Sequence, residues 1–566
     1  MTTMDGRSGD GRSGEGRSGR KGGGAKALQG ASLLGPSQSS AFDAAPTEDV
    51  FARRYANGEA QVVWTRLVAD LETPVSAYLK LTASRKSAEA GGAAGLSILL
   101  ESVEGGSTRG RYSVIGLEPD IVWRAHGGKA EINSAAIKKP NTFRPEKAST
   151  LASLRSLLAQ SRLDLPTELP PMAAGVFGYL GYDTIRLVEN LTSVPPDDLG
   201  VPDSVLMRPT LVVIFDSVKD EMTVVTPVRP DAKVPAAKAH KAALKRLKSA
   251  IDALDAPVPH GADIKSRTLT VPDPVSNTPP ADYLSMVARA KDYILAGDIF
   301  QVVLSQRFTA PFALPSLALY RSLRRLNPSP FLFHLALGSF SLVGSSPEIL
   351  VRVRGGEVTI RPIAGTARRG TDEAEDQALA AALLQDPKER AEHLMLLDLG
   401  RNDVGRVAEI GSVAVTQRFI IERYSHVMHI VSNVIGRLKS GYDAIDALMA
   451  GFPAGTVTGA PKVRAMEVID ELERSKRGPY GGAVGYFSAD GEMDTCIVLR
   501  TALVKDGFIH VQSGAGVVHD SIAENEQQEC INKAKAIVRA AEEAVRFATK
   551  SRAPGRWRGD NGGSFK

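Results

Sequence analysis

Two pairs of glutamates have the spacing that could bind a divalent cation. Glu389 and Glu392 are three residues apart, and so are Glu526 and Glu529. On a helix, residues at this spacing share a face. Four such carboxylates could converge on Mg²⁺, which prefers oxygen ligands and leaves positions open for substrate oxygens. The alternative is two solvated helix faces, since charged runs of this kind are common on protein surfaces.

Three glycine-rich turns could bind an anion through their backbone N–H groups. They lie at 363–366, 453–462 and 513–516. Glycines that follow strands expose N–H groups, which bind carboxylates or phosphates. None of the three matches a Walker A loop or a Rossmann fingerprint. The alternative is that these are tight turns in which glycine supplies a positive φ.

Two polar residues stand in apolar surroundings. His429 lies within Val427–Val431, where it could be a catalyst or a satisfied core histidine. Arg500 follows Ile497–Leu499, and a buried guanidinium requires a carboxylate partner because an unpaired buried charge is costly. That partner could be a structural Asp or Glu, or a substrate carboxylate held in bidentate fashion.

Helices and strands that would position these residues follow from hydrophobic periodicity. The pattern predicts helices at 237–254, 281–296, 373–398, 463–475 and 526–547. It predicts strands at 96–100, 211–215, 300–308, 339–344, 349–353, 358–363, 483–487, 496–504 and 508–513. Successive strands with helices between them indicate an α+β fold on large, mostly antiparallel sheets.

Composition divides the 566 residues into five predicted segments. They are a disordered Gly/Arg/Ser-rich tail at 1–45, an N-terminal region at 46–255, a Pro-rich connection at 256–280, a patterned domain at 281–548 and a disordered basic tail at 549–566. The tails are too poor in apolar residues to form a core. An alternative for the first tail is an arginine-rich arm that binds nucleic acid.

Charge and cysteine content exclude several classes of protein. The net charge of +5 comes from the tails, which hold eleven basic and five acidic residues, so the body carries about one negative charge and no nucleic-acid partner is expected for it. Two cysteines cannot form a disulfide framework. We find no apolar run of transmembrane length and no secretory signal, and therefore expect a cytoplasmic protein without a membrane partner.

Nine short motifs occur in order between residues 50 and 548. They are NPSPFLF (327–333), SSPEIL (345–350), PIAGTARRG (362–370), KERAEHLMLLDLGRNDVGRV (388–407), YSHVMHIVS (424–432), GTVTGAPKVRAME (455–467), GPYGGAVGYF (478–487), SGAGVV (513–518) and NKA (532–534). Together they resemble the motifs of the chorismate-utilising enzymes, and within them the anthranilate synthase component I family. The resemblance implies a two-sheet antiparallel β-sandwich with helices packed outside and the active site between the sheets.

A metal and a substrate site are implied by this resemblance. It implies that Glu392 and Glu529 hold Mg²⁺, with Glu389 and Glu526 in support, and that the ion binds the ring carboxylate of chorismate. It also implies a set of residues that bind the substrate. These are Gly365, Thr366, Tyr480, Arg500, Gly514, Ala515, Gly516 and Lys533.

Four catalytic residues are implied in the same way: Glu348, His429, Gln301 and Thr456. Glu348 matches the general acid that protonates the leaving C4 hydroxyl, so its pKa should be raised by its site. His429 matches a residue required for the later loss of pyruvate. The reaction implied is amination of chorismate at C2 by ammonia, followed by pyruvate elimination to anthranilate, the first committed step of tryptophan biosynthesis.

The nucleophile and its source are predicted from residues that differ between related enzymes of this family. Relatives that add water carry a Lys base where this chain has Gln301, and aminodeoxychorismate synthases carry a covalent Lys where it has Ala364. Ammonia is therefore favoured. No Gly-x-Cys-x-Gly turn is present, so the ammonia is expected from a separate glutamine amidotransferase subunit. An aminodeoxyisochorismate synthase that stops before pyruvate loss is the sibling alternative.

A regulatory site for L-tryptophan, as feedback inhibitor, is the last implication of the resemblance. The matching positions are Glu101, Ser102, Pro330, Phe331 and Leu332. Phe and Leu stand at 331–332, where Tyr and Met are commoner in the family. These residues would lie between the N-terminal region and the catalytic domain. The alternative is that 99–102 is simply the end of a buried strand.

Overall fold

The computed structural model describes residues 42–86, 95–104, 108–259, 270–424 and 427–550. Residues from Asp43 onward form one compact unit. The predicted tails lie almost wholly outside the described residues, as does 260–269 of the predicted connection. Among the helices of the described ranges, none has both the length and the apolar content needed to cross a membrane.

Helices surround the sheet. They are α1 (Glu48–Ala56), α2 (Pro74–Lys86), α3 (Thr150–Ser161), α4 (Ala236–Asp255), α5 (Pro280–Leu295), α6 (Ser316–Leu326), α7 (Glu373–Gln385), α8 (Pro387–Gly405), α9 (Ala444–Gly451), α10 (Lys462–Leu472) and α11 (Ala523–Lys550). Short 3₁₀ turns occur at Pro171–Ala173, Tyr182–Leu187 and Gly455–Val457. The helical stripes predicted at 237–254, 281–296, 463–475 and 526–547 are thus confirmed, with ends moved by a few residues.

Strands make up the rest of the regular structure. They are β1 (Gln61–Val68), β2 (Leu96–Glu104), β3 (Thr108–His126), β4 (Lys129–Asn133), β5 (Arg144–Pro145), β6 (Gly175–Leu180), β7 (Ser204–Asp216), β8 (Glu221–Val228), β9 (Val275–Ser276), β10 (Gln301–Pro311), β11 (Phe331–Leu337), β12 (Phe340–Ser346), β13 (Ile349–Arg354), β14 (Glu357–Ile360), β15 (Ile363–Arg368), β16 (Ala414–Arg423), β17 (Val427–Arg437), β18 (Gly459–Ala460), β19 (Ala483–Ser488), β20 (Met493–Ile497), β21 (Thr501–Lys505) and β22 (Phe508–Val517). Every pairing among them is antiparallel, as the sequence predicts.

Strand pairing joins both halves of the chain into one hydrogen-bonded network. From β7 the pairing runs through β3, β2, β11, β12, β21 and β22 to β10. In the other direction it runs through β6, β19, β20, β13 and β14 to β17. Gln301 lies on β10 and His429 on β17, at opposite ends of this path. The path must therefore curve for the two residues to share a site.

A large apolar core lies where strands that are not hydrogen-bonded neighbours meet. Tyr179 of β6 contacts Phe340 of β12 edge to face, with ring centroids 6.1 Å apart and planes at 85°. Both residues belong to one buried cluster that also contains Val484 and Leu335. Burial of this apolar surface supplies the main stabilising force. The mixed fold with a large antiparallel sheet is confirmed, while the division into a two-sheet sandwich stays a prediction.

Three predicted elements are interrupted. The helix expected at 373–398 is two helices, because Asp386 accepts hydrogen bonds from the N–H groups of Lys388 and Glu389 and Pro387 begins a new helix. The strand expected at 496–504 breaks at 498–500, where Arg500 has a φ of +47°. The strand expected at 358–363 likewise ends before Pro362, since proline cannot donate to a sheet.

Candidate active site

The Glu348 carboxyl is buried at the junction between β12 and β13. Its two oxygens each accept a contact of 3.1 Å from the Thr456 hydroxyl, which the 3₁₀ turn at Gly455–Val457 presents. Burial raises the pKa of Glu348 to about 8, although the hydrogen bonds from Thr456 and from the Ile363 backbone oppose that rise. The side chain therefore carries a proton at neutral pH, as a general acid must.

A turn at the start of β15 holds His429. The Nδ1 atom of His429 lies 3.0 Å from the Gly365 carbonyl oxygen and 3.0 Å from the Thr366 hydroxyl. A carbonyl only accepts, so Nδ1 carries the hydrogen and Nε2 keeps a lone pair. Burial, and to a lesser degree the charge of Arg500, lowers the pKa of His429, which makes the ring neutral at neutral pH.

Arg500 lies in the break between β20 and β21. In the part of the chain that the structure describes, its guanidinium makes neither an ion pair nor a hydrogen bond, and burial lowers its pKa. Its charge interacts electrostatically with His429 and Tyr424. The structural carboxylate that the sequence left open as a partner is thus not present among the described residues. A cation desolvated in this way is suited to bind an anionic ligand.

Gln301 connects strand β10 with helix α8. From β10 its Nε2 donates to Glu392 of α8 across 3.4 Å, a weak hydrogen bond. A Cβ at Gly516 would lie only 2.7 Å from that Nε2, so glycine allows β22 to approach. Gln301 is buried, and its Oε1 has no hydrogen-bond partner among the described residues. The amide therefore keeps an acceptor oxygen available within the site.

The four glutamates form two pairs on separate helices. Burial raises the pKa of Glu389 and of Glu526, and the neighbours Glu392 and Glu529 raise each further. Lys388 of α8 acts on Glu526 of α11, so the two helix starts lie within electrostatic reach. No group of three or more His, Cys, Asp or Glu side chains is close enough to hold a metal in the described ranges.

The remaining substrate-binding candidates surround β22. Lys533 donates to the Gly514 carbonyl at 2.9 Å and pairs with Glu529 at 2.6 Å. Tyr480 is buried, and a Cβ at Gly514 would lie 3.0 Å from its hydroxyl. Gly365 has a φ of +75°, and a Cβ there would lie 3.1 Å from Glu389 Oε2. Glycine is thus required where these turns approach the side chains of the site.

Comparisons with known proteins give the family. A family model described as chorismate binding enzyme matches residues 100–539. Anthranilate synthase component 1 of Cereibacter sphaeroides is 56% identical over 501 residues, which cover 88% of this chain and 98% of that protein. The chain belongs to the anthranilate synthase component I family of chorismate-binding enzymes.

Other relatives agree with this assignment. Anthranilate synthase component 1 of Thermus thermophilus is 46% identical over 84% of this chain and 97% of that protein. A crystal structure of anthranilate synthase component I from Streptococcus pneumoniae TIGR4 superposes with a TM-score of 0.66 at 39% identity, covering 76% of this chain and 92% of that one. The family predicted from the motifs, and its class as a chorismate-utilising lyase, are thus confirmed.

Two charged residues that tie this family member's site together escaped sequence reasoning. The Arg477 guanidinium donates to the Val457 carbonyl at 2.6 Å and to the Val303 carbonyl at 2.7 Å, so it fixes the Thr456 turn to the Gln301 strand. Glu473 pairs with Arg477 and accepts from the Ser305 N–H at 2.8 Å. Their spacing of four residues, typical of a helical ion pair, was the available signal.

A cavity of about 470 Å³ adjoins four of the five positions predicted to bind tryptophan. Glu101, Ser102, Phe331 and Leu332 line it, whereas Pro330 is not among its lining residues. The Glu101 carboxylate accepts hydrogen bonds from Arg324 at 2.7 and 2.9 Å and from Tyr320. The Glu101 carboxylate is therefore already bound by side chains of α6. Of the four positions, Ser102, Phe331 and Leu332 remain available to a ligand.

Proposed function

We propose that the chain aminates chorismate at C2 with ammonia and then eliminates pyruvate to give anthranilate, as component I of an anthranilate synthase. The observation that carries this proposal is the buried Glu348 carboxyl, protonated at neutral pH and held by Thr456. Loss of the C4 hydroxyl needs a proton on the leaving oxygen, and a neutral carboxylic acid can supply it. We further propose that the curved strand path forms a two-sheet sandwich around this site.

Substrate orientation is assigned to Arg500, to Tyr480 and to the backbone of two glycine-rich turns. Arg500 would bind a carboxylate of chorismate, because its buried guanidinium makes no ion pair among the described residues. Tyr480 and the amides of 514–516 would hold the enolpyruvyl side chain nearby. The N–H groups of Gly365 and Thr366 would face the ring carboxylate. Fixing both ends of the substrate places the C4 oxygen for proton transfer from Glu348.

The nucleophile is assigned to ammonia from a second subunit. Gln301 cannot act as a base toward water, and Ala364 cannot attack carbon. The chain's two cysteines, Cys496 and Cys530, are both buried, and burial raises the pKa of the Cys530 thiol to about 11. Neither thiol can therefore hydrolyse glutamine. We infer a separate glutamine amidotransferase partner and, from the two unpaired thiols, a cytoplasmic setting.

Mg²⁺ is proposed as the cofactor, held by Glu392 and Glu529 with Glu389 and Glu526 in support. The donor chemistry suits Mg²⁺, since all four groups are carboxylates and the half-buried Glu389 and Glu526 have raised pKa values that an adjacent cation would lower. When bound, the ion would neutralise the substrate's ring carboxylate and orient it. Lys533 contacts both Glu529 and Gly514, which connects this set to the substrate amides.

His429 is assigned to the elimination step. Its Nε2, which has no hydrogen-bond partner among the described residues, can accept the ring proton at C2 while Nδ1 remains bound to Gly365. We expect His429→Gln to slow elimination by about 10²- to 10⁴-fold and amination by far less. Single-turnover mixtures analysed by mass should then accumulate the aminated, pyruvate-bearing intermediate. His510→Gln, on β22 outside the site, is the control, and equal loss of both steps would contradict this assignment.

Feedback inhibition by L-tryptophan is proposed at the 470 Å³ cavity. Its volume suits a ligand of this size, and Phe331 and Leu332 offer apolar contacts to an indole ring. Replacing Ser102 with Phe would fill the cavity, so half-inhibition should require at least about tenfold more tryptophan. Initial rates with increasing tryptophan measure this. Ser102→Ala, which adds no bulk, should shift the inhibition curve less, and an unchanged curve for Ser102→Phe would move the inhibitor site elsewhere.

The overall proposal is tested by its product. The purified chain with chorismate, Mg²⁺ and an ammonium salt should form anthranilate and pyruvate in equal amounts. Mass analysis separates this result from 4-aminodeoxychorismate, isochorismate and aminodeoxyisochorismate. Any of these as sole product would refute the proposed reaction, and the last would mean that the chain stops before elimination.

A further inference from the structure

A small cavity is lined in part by Glu348 and by the turn that carries Thr456. Its volume is about 30 Å³, room for one water molecule. Its walls include Glu348, Thr456, Asp403 and Gly400. None of the residues assigned to the substrate's carboxylates lines it. The cavity is therefore too small for chorismate itself.

Asp403 is the one other acidic group in the wall of this cavity. It lies on α8, buried, and its Oδ2 accepts a hydrogen bond of 2.8 Å from Lys462 at the start of α10. Its Oδ1 makes no hydrogen bond with any described residue. Oδ1 keeps some accessible surface, and a carboxylate oxygen beside a cavity is normally satisfied by an ordered water. A water in the cavity would satisfy Oδ1 and could at the same time contact Glu348.

We propose that Asp403, held by Lys462, is a positioning residue that returns a proton to Glu348 through one water in this cavity. The inference rests on the proposed function, because Glu348 needs a new proton only if it donates one in each turnover. It also explains why an ion pair is buried behind the acid, where two apolar side chains would pack as well.

Atoms and charges balance over the cycle. The Glu348 O–H bond breaks and its proton forms the new bond to the C4 oxygen, which leaves as water with the C4–O electron pair. Lys462 then gives a proton to the Asp403 carboxylate, which passes it to the cavity water as that water gives a proton to Glu348. Asp403 is again a carboxylate, and the neutral Lys462 amine regains its proton from solvent. The matching proton enters solvent when the added ammonia becomes an amine, so no further reactant is needed.

The charged groups around Asp403 are consistent with this route. Burial raises the pKa of Asp403, while the charges of Lys462 and, on its own helix, Arg406 oppose that rise. Glu348 lies in the wall of the same cavity. Asp403 thus lies between a cation that can release a proton and an acid that needs one.

Gly400 provides a test that leaves every acid in place. A Cβ there would meet Ile360 at 3.5 Å and Val434 at 3.8 Å, which are ordinary contacts, so Gly400→Ala should fold. Its methyl group would occupy the cavity and displace the water. We expect kcat to fall about tenfold or more, with KM for chorismate little changed, and the solvent deuterium isotope effect on kcat to rise. Gly405→Ala, on the same helix with open space around it, is the matched control.

A second test uses Asp403→Asn, both alone and combined with Lys462→Met, which avoids an unpaired buried cation. The kcat of these variants should fall and become dependent on the concentration of a small buffer acid such as imidazolium, which can reprotonate Glu348 directly. Wild-type kcat should not depend on buffer. Two results would refute the relay. In the first, the Gly400 and Asp403 variants keep the wild-type kcat, isotope effect and independence of buffer. In the second, they lose rate, but the isotope effect is unchanged and no buffer dependence appears. A wild-type chain that forms no anthranilate would instead remove the proposed function.

Discussion

Replacing Glu348 with Gln should lower anthranilate formation by about 10²- to 10⁴-fold while the chain stays folded. The amide has nearly the shape of the protonated carboxyl and can still contact Thr456, but it has no proton to transfer to the C4 oxygen. The loss should appear in kcat more than in KM, because Glu348 acts on the leaving group in the transition state. Steady-state anthranilate fluorescence measures the loss of turnover, and a circular dichroism spectrum shows whether the chain stays folded.

The pH dependence of wild-type kcat/KM should also show that Glu348 acts in its protonated form. Since burial raises the pKa of Glu348 to about 8, the acid form is present at neutral pH, and kcat/KM should fall as pH rises through about 8. The change of folding stability with pH has the opposite sign to that of a salt-bridged carboxylate. Here ionisation is penalised in the folded state, so wild-type stability should decline from about pH 4.5 to about 8, the interval between the unfolded and folded pKa values.

Glu348→Gln should lack that decline, because it has no proton to lose. Thermal melts of both proteins between pH 5 and 9 would show the difference in Tm growing with pH. Glu357→Gln, at an exposed position on β14, is the control for loss of a carboxylate. A variant that keeps wild-type turnover, or parallel Tm curves, would mean that Glu348 is ionised at neutral pH and is not the acid.

Much of the fold was predictable from hydrophobic periodicity, and the failures have local causes. The stripe at 281–296 and the run at 508–513 became a helix and a strand because one face or both are buried. The break at Arg500 was not predicted because apolar residues continue on both sides of it, whereas the break at Asp386 was not predicted although Pro387 follows it in a polar stretch. A helix cap and a single positive φ are decided by backbone hydrogen bonds and by neighbours distant in sequence.

The site shows a similar division between local and distant information. The motifs identified Glu348, His429 and Arg500, but not which groups they would contact. Arg500 lacks a carboxylate partner among the described residues, and Asp403 shares a cavity with Glu348. Spacing along a sequence carries no information on contacts between residues so far apart, so contacts of this kind require the folded chain.

Replacing Glu529 with Gln should weaken Mg²⁺ binding at least about tenfold and reduce anthranilate formation to background. The first two turns of α11 and α8 carry the four carboxylates, and the negative charge of Glu529 already raises the pKa of Glu526. Removing one charge leaves Glu526 without its partner and leaves Lys533 as an uncompensated cation beside the Gly514 carbonyl. Both changes act against a divalent cation at this place. Calorimetric titration of the full chain with Mg²⁺ measures the affinity without relying on turnover.

The control for Glu529→Gln is Glu524→Gln, an exposed carboxylate on the same helix that is outside the proposed ligand set. It changes net charge and helix charge equally, so long-range electrostatics would affect both variants alike. A deficit confined to Glu529→Gln would assign the effect to direct ligation, since only a ligand is sensitive to which oxygen is replaced. Equal Mg²⁺ affinity in the two variants would place the metal elsewhere, and Glu529 would then serve mainly to hold Lys533 against the substrate amides.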